Sequence, residues 1–521
     1  MLVKTNDMKQ LCRLIFVAIC AVVLSFHCKV CAQTVTPFQY GLTEAQDPVD
    51  VYRVLLRTHQ AADSCGCSVS YTGIDTLRIA VPPEAQSIPL QVNNDFGGTV
   101  FVVTNNTSNI FLFRYTRPSY PIPVGDTLVL CRAIDSGNFK GIPMLAEGDW
   151  LLHIVDSTPW VDRRRGYQYG HYREDIMRVR DGISHDTTAM PYNAGGSRPS
   201  LWARRLDSID TTPFTFTNIT LMREPSSTNA TYLLQLDNLS QATLRNIVVV
   251  TPRSNVLAGD DAIIYICNST NVVIDSLTIW GTYSRTNHSG YGLLLGNLRN
   301  TRIRRLKSLT DWGVFGTNNM TETTIEYSEF NRFDIHCYGR NVTFDHCIQR
   351  NGFNQFSSVF GDVAFRSCTF DNFTPVYIED TYNAYTNFVL TMDSCQWRPT
   401  AKRGAIFVGG RIDCPLNSRE ELQTPAFPDI IINNLDVYST AGIRQVELFH
   451  LTGSERRAHV FQGPGRITLR GVNMQGNPKT KIILGNKSVN LLQETRIETP
   501  DIIPDTTFVN RIAPMVIGIG D

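Results

Sequence analysis

Residues 332–338 read Arg-Phe-Asp-Ile-His-Cys-Tyr. Phe333, Ile335 and Cys337 alternate with Asp334, His336 and Tyr338, so a strand here would turn an acid, an imidazole and a phenol to one face. With Arg332 beside them, these side chains are the equipment for moving a proton next to a carboxylate. His336 suits a general base, because an imidazole titrating at about 6.5 is mostly neutral near pH 7. Tyr338 suits the proton donor, or the base if Arg332 draws its pKa down from about 10. Arg332 would clamp a carboxylate whose charge grows in the transition state. His288, earlier in the chain, is a competing base. Against this stands the plain reading that outward residues of any sheet are polar because they meet water.

The elements that must carry such a face are legible in repetition. From residue 216 a short pattern recurs: apolar, any, small or polar, apolar. It reads FTNITL at 216, LRNIVV at 244, IDSLTI at 274, IRRLKS at 303, IEYSEF at 325, FDHCIQ at 344, FRSCTF at 365, MDSCQW at 392, INNLDV at 432 and LRGVNM at 469. Successive starts lie 19 to 40 residues apart, with period-two alternation and no amphipathic helix between them. Stacked coils of short parallel strands answer that description. Asn218, Asn246, Asn433, Ser276, Ser367 and Ser394 then fall at a bend, where short polar side chains bond freed backbone groups. Cys347, Cys368 and Cys395 fall one step on, as small buried hydrophobes in a core ladder.

Residues 47–62 (DPVDVYRVLLRTHQAA) read as an amphipathic helix capping the first coil, and 74–82 and 97–105 as early strands. An insertion is expected over 147–213. The layout expected is therefore a leader over 1–32, cap and first coils over 33–213, regular coils over 214–475 and a C-terminal cap over 476–521. The leader is an uncharged apolar run at 14–26 behind Arg13, with small residues up to Ala32, and predicts export to the periplasm, cell surface or medium. No other stretch has the length of a membrane span. With 48 basic and 48 acidic side chains there is no global field for nucleic acid, and a monomer is expected. Four of the 13 cysteines depart with the leader, and the odd nine left make a poor disulfide framework, although Cys65, Cys67 or Cys131 could pair.

The cap followed by GGTVFVV at 97–103 and the ten repeats resemble the pectin lyase-like superfamily of secreted right-handed parallel β-helix proteins, especially polysaccharide lyases of gut Bacteroidetes. The resemblance implies an all-β, right-handed parallel β-helix whose substrate channel runs along one sheet, on strands just upstream of each repeat. Those strands offer Asp260, Asp261, His288, Tyr291, Asp311, Trp312, Arg332, Asp334, His336, Tyr338, Tyr377, Glu379 and Asp380. Of these, Asp334, Tyr291, Trp312, Tyr377 and Glu379 are expected to bind substrate. The implied reaction is β-elimination on a uronate-containing polysaccharide, of which a glycosaminoglycan of chondroitin type is one candidate. Some lyases of this fold use calcium, for which Asp260 and Asp261 or Glu379 and Asp380 would supply oxygen ligands.

Residues 162–182 (DRRRGYQYGHYREDIMRVRDG) add a second concentration of useful groups. Arg165, Tyr169, His171 and Arg173 would meet an anionic sugar if the segment closes over the channel. Alternatively Arg173 and Asp175 are an ion pair fixing a hairpin that turns at Asp181-Gly182. A glycoside hydrolase is the second reading, with Asp311 and Asp334 or Asp334 and Glu379 as its two carboxylates. The GHG and RIK pieces of the polygalacturonase signature are missing, which lowers it. A non-catalytic binding or adhesin β-helix is third.

Overall fold

The computed structural model describes residues 34–518 apart from 45, 107–110, 162–170, 189–191, 193–196, 225–231, 251–261, 281–290, 310–313, 336–337, 358, 380–386, 401–403, 413–426, 440–442, 454–459, 462, 477, 485–489, 492–494, 500–505 and 511–514. Most described strands join in one sheet, paired in parallel and closed on itself as a parallel β-helix. Its first column stacks the repeats in register. Phe216, Leu244, Ile274, Ile303, Ile325, Phe344, Phe365, Met392, Ile432 and Leu469 are successive partners, each pointing into the core. Burying each such side chain contributes about 1.5–3 kcal/mol, and stacking repeats that gain on every coil.

Two residues later the chain turns a corner with positive φ, at Asn218, Asn246, Ser276, Arg305, Tyr327, His346, Ser367, Ser394, Asn434 and Gly471. Asparagine tolerates this region because its short amide replaces backbone partners lost at the bend. Asn246 Nδ2, for example, donates to Asn218 Oδ1 at 2.9 Å. Asn434, not Asn433, takes the corner in its coil. Past the corner, Cys347, Cys368 and Cys395 are buried, their thiols directed at backbone carbonyls of the preceding coil. Hydrogen bonds with neighbouring thiols, and then burial, push Cys368 and Cys395 far toward the neutral form.

Helix α1 (Pro48–Cys65) closes the N-terminal end. Asp47 accepts from Val49 N, Pro48 opens the first turn and Gly66 ends the helix at φ 65°. Its apolar stripe packs into the β-helix core. Its last residue, Cys65, forms a disulfide with Cys67. At the other end, strands 479–484, 495–498, 506–510 and 515–518 continue the columns, so the stretch expected as a cap adds further rungs.

Between the early coils lies an insertion with its own sheet: β1 (Tyr120–Ile122), β2 (Asp149–Val161), β3 (His171–Arg180) and β4 (Pro199–Arg205), with helix α2 (Thr127–Ser136). These strands pair antiparallel around a separate small core. The turn at Asp181-Gly182 forms, both residues at positive φ between reciprocal bonds of Arg180 and Ile183.

The third column carries the face expected to hold the channel. Its strands include β5 (Ala262–Thr270), β6 (Tyr291–Arg304), β7 (Val314–Glu326), β8 (Phe333–Ile335), β9 (Asn354–Phe356), β10 (Val376–Glu379), β11 (Ala405–Ile412) and β12 (Gln445–Gly453). Their outward row includes Tyr265, Leu294, Asp334, Gln355, Tyr377, Gly409 and His450. Strand β3 lies against β5, β6 and β7 and covers the upper part of this face. Arg299 Nε donates to Ile176 O and its Nη2 to Thr187 O, and Arg340 Nη1 donates to Thr188 O, pinning the insertion down.

Candidate functional site

Of the expected site residues, His288, Trp312, His336, Arg165 and Tyr169 lie outside the described residues, as do the side chains of His171 and Glu379. The candidate calcium ligands Asp260, Asp261 and Asp380 lie outside too. Among the described residues no three His, Cys, Asp or Glu side chains converge to hold a metal ion.

Four expectations are corrected. Asp334 is 0 % exposed, not on the wet side of its strand. Its carboxylate accepts from Tyr291 Oη at 2.9 Å and from Arg332 Nε at 2.6 Å. Tyr291 is therefore buried as the partner of Asp334 and is no sugar platform. Tyr338 is 1 % exposed at φ 57°, in the left-handed bend that Asn238, Asn268, Asn297 and Asn319 occupy on preceding coils. The left-handed backbone at Tyr338 breaks the extended pattern, so alternation counted from Phe333 no longer says where residue 338 points. Arg173 is fully buried inside the insertion. Its guanidinium sits 3.5 Å above the Tyr192 ring, its Nε lies 3.4 Å from Asp175, and Tyr192 Oη donates to the same carboxylate. The structural reading of the Arg173–Asp175 pair is the one that holds.

Arg332 stays at the edge of the face, but its charge is largely engaged. Besides Asp334, its Nη2 donates to Gln355 Oε1 at 2.6 Å, and the guanidinium stacks 4.5 Å over Phe353. Phe353 in turn meets Tyr377, with ring centroids 5.4 Å apart. This buried knot of Tyr291, Asp334, Arg332 and Gln355 fixes the floor of the face and leads onto Tyr377.

Downstream of that floor no described residue covers the row, and it holds groups the sequence reading passed over. Tyr377, Gly409 and His450 are successive partners on β10, β11 and β12, and Arg411 lies outward, two residues past Gly409. Tyr377 and His450 are thus two rungs apart, about 10 Å along the stack. A Cβ at Gly409 would stand 3.0 Å from the Tyr377 ring, so glycine there lets the phenol lie across the strand. Arg411 is exposed. His450 Nδ1 is 2.6 Å from Glu447 Oε2, with the imidazole 36 % and the carboxylate 12 % exposed.

In a regular strand residues three apart face opposite ways. Here the pairing with strand 479–484 skips Leu448, and this bulge brings Glu447 and His450 to the same side. Nδ1–H donates to the Glu447 carboxylate, which leaves Nε2 as the basic atom. The signal available in sequence was Gly409-Gly410-Arg411, a glycine pair inside a strand pattern, with His450 at the matching position one coil on.

No family model matches the chain, and no curated protein matches it. Solved structures do. The tailspike protein gp49 from Pseudomonas phage LKA1 superposes with a TM-score of 0.52 at 13% identity, covering 88% of this chain and 84% of that one. The Gp54 tailspike of Acinetobacter baumannii bacteriophage AP22, solved with A. baumannii capsular saccharide, gives 0.55 at 11% identity over 91% of this chain and 76% of that one. The likeness is one of fold. These neighbours are phage tailspikes rather than the Bacteroidetes lyases the sequence resembles, and they support the parallel β-helix independently of that resemblance.

Proposed function

We propose that the chain is an exported polysaccharide lyase that cleaves a uronate-containing polysaccharide by β-elimination on the open part of the third column. The observation that carries this reading is the juxtaposition of His450, its Nδ1 held by Glu447, with Tyr377 and Arg411 on one outward face. A β-helix neighbour solved with a capsular saccharide supports a polysaccharide as the partner.

In this scheme Arg411 faces the uronate carboxylate and offsets the charge that accumulates there as the C5 proton leaves. His450 Nε2 takes that proton, and the C5–H electron pair becomes the C4=C5 double bond. The C4–O bond breaks and Tyr377 gives its phenolic proton to the leaving oxygen. The proton on His450 then returns to the Tyr377 phenolate through water, which restores both groups. Phe353 and the Tyr377 ring offer apolar faces for sugar rings entering the row.

On strands β9 to β12 the one carboxylate among the described side chains is Glu447, and it is engaged by His450; the side chain of Glu379 lies outside them. A glycosidase needs a second. Incubation with chondroitin sulfate, hyaluronan, alginate and pectins separates the classes. Lyase action yields ultraviolet-absorbing unsaturated uronate, and His450→Ala and Tyr377→Phe each abolish it. Reducing ends without that absorbance would show hydrolysis, and absorbance surviving both substitutions would show that the active row lies elsewhere.

A further inference from the structure

Where the insertion meets the β-helix, at the far edge of its sheet from β3, the chain leaves an open cleft lined by Arg117, Tyr120, Met144, Trp150, Arg204 and Arg205. We propose that this cleft is a second, non-catalytic binding site for an acidic sugar unit of the polysaccharide. The choice of an acidic saccharide rests on the reading of the open row above; the cleft's own chemistry points the same way.

Three arginines converge there, against one lining carboxylate, Asp207. Asp207 is occupied, since it accepts from Ile209 N to cap its own short helix. Arg204 is buried, with its side chain 7 % exposed, and spends only Nη1 on Asp210. Among the described residues its Nε and Nη2, and Nε of Arg117, have no hydrogen-bond partner. A buried guanidinium with unsatisfied N–H groups is costly to keep and is relieved by an acceptor such as a carboxylate.

The apolar half of the cleft suits a sugar ring. Tyr120 is 65 % exposed and Met144 is 53 % exposed, unusual for large apolar residues this close together. Trp150 is fixed by its Nε1 bond to Glu147 O, and the Arg205 guanidinium lies 5.9 Å from its ring centroid. A rigid aromatic edge beside cations is the pairing that recognises a pyranose carrying a carboxylate.

Calorimetric titration with hexameric galacturonate, mannuronate and chondroitin oligosaccharides tests the site, with maltohexaose as the neutral comparison. The protein, Arg205→Ala and Tyr120→Ala are compared; both altered side chains are exposed, so the fold stands. At least one acidic hexamer is expected to bind, more tightly than maltohexaose. Each substitution should weaken that binding about tenfold, the worth of one good contact, and leave the rate of unsaturated-product release at saturating substrate unchanged. No binding by any acidic hexamer, equal affinity for maltohexaose, or undiminished affinity in both variants would overturn the proposal. Binding that depends on Arg205 and Tyr120 in a protein that releases no unsaturated product would keep the cleft and discard the lyase reading.

Discussion

His59 offers a quantitative check on the N-terminal cap. It sits wholly buried on α1, where Nδ1–H donates to Gln91 Oε1 at 3.1 Å and Nε2 accepts from Tyr71 Oη at 2.6 Å. Burial pulls its pKa from 6.5 down to about 4, opposed only partly by its bonds to Gln91 and Pro89. The unfolded segment therefore binds a proton between these values that the folded one refuses. Stability is complete above about pH 6.5, falls as pH drops toward about 4, and levels off below that. The whole window is worth about 3 kcal/mol, and going from pH 7.5 to 5 costs about 2 kcal/mol. Because a solenoid opens locally, the fitting assay is amide hydrogen exchange over residues 50–62, corrected for intrinsic rates. The protein should lose about 2 kcal/mol of protection over that range, and His59→Gln, which cannot titrate, should lose much less. Equal losses in the two proteins would show that His59 does not carry the pH dependence.

Other consequences are as direct. Glu447→Gln removes the anion that holds His450 Nδ1, and turnover should fall about 10- to 100-fold; an unchanged rate would exclude His450 as the base. Asp334→Ala strands Arg332 in the floor of the face and should cost about 3–5 kcal/mol in urea unfolding, whereas a loss under 1 kcal/mol would mean the knot is solvated. Tyr338→Phe, altered at a buried bend, should leave turnover intact. Gly361→Ala places a Cβ against Asn341 Oδ1 at φ 70°, and should lower the thermal midpoint through a loss of about 1–3 kcal/mol.

The fold was legible because its signal is redundant. Ten repeats quoted from sequence alone turn out to be partners in a single register, and one slipped assignment, Asn433 for Asn434, did not disturb the rest. The site was less legible, for two physical reasons. Alternation says which side of a strand a residue takes but not what covers that side, and Asp334 is outward yet sealed by Tyr291 and Arg332. Alternation also fails where the backbone leaves the extended region, as it does at Tyr338 with φ 57°, so Tyr338 could not be placed by counting. The Glu447–His450 pair depends on a bulge, and a bulge leaves no mark in a period-two pattern.

The arginine ties of the insertion set an order of events. Its carbonyl groups at Ile176, Thr187 and Thr188 are claimed by Arg299 and Arg340, side chains that follow them by 112 to 152 positions. A chain emerging from its N-terminus completes the insertion well before those anchors exist. Each coil otherwise touches only its neighbours, so the insertion is the one described element whose seating waits for distant coils to form. Docking it then locks several coils together at once, and a locally unzippable stack gains a cooperative clasp over the face where chemistry is proposed.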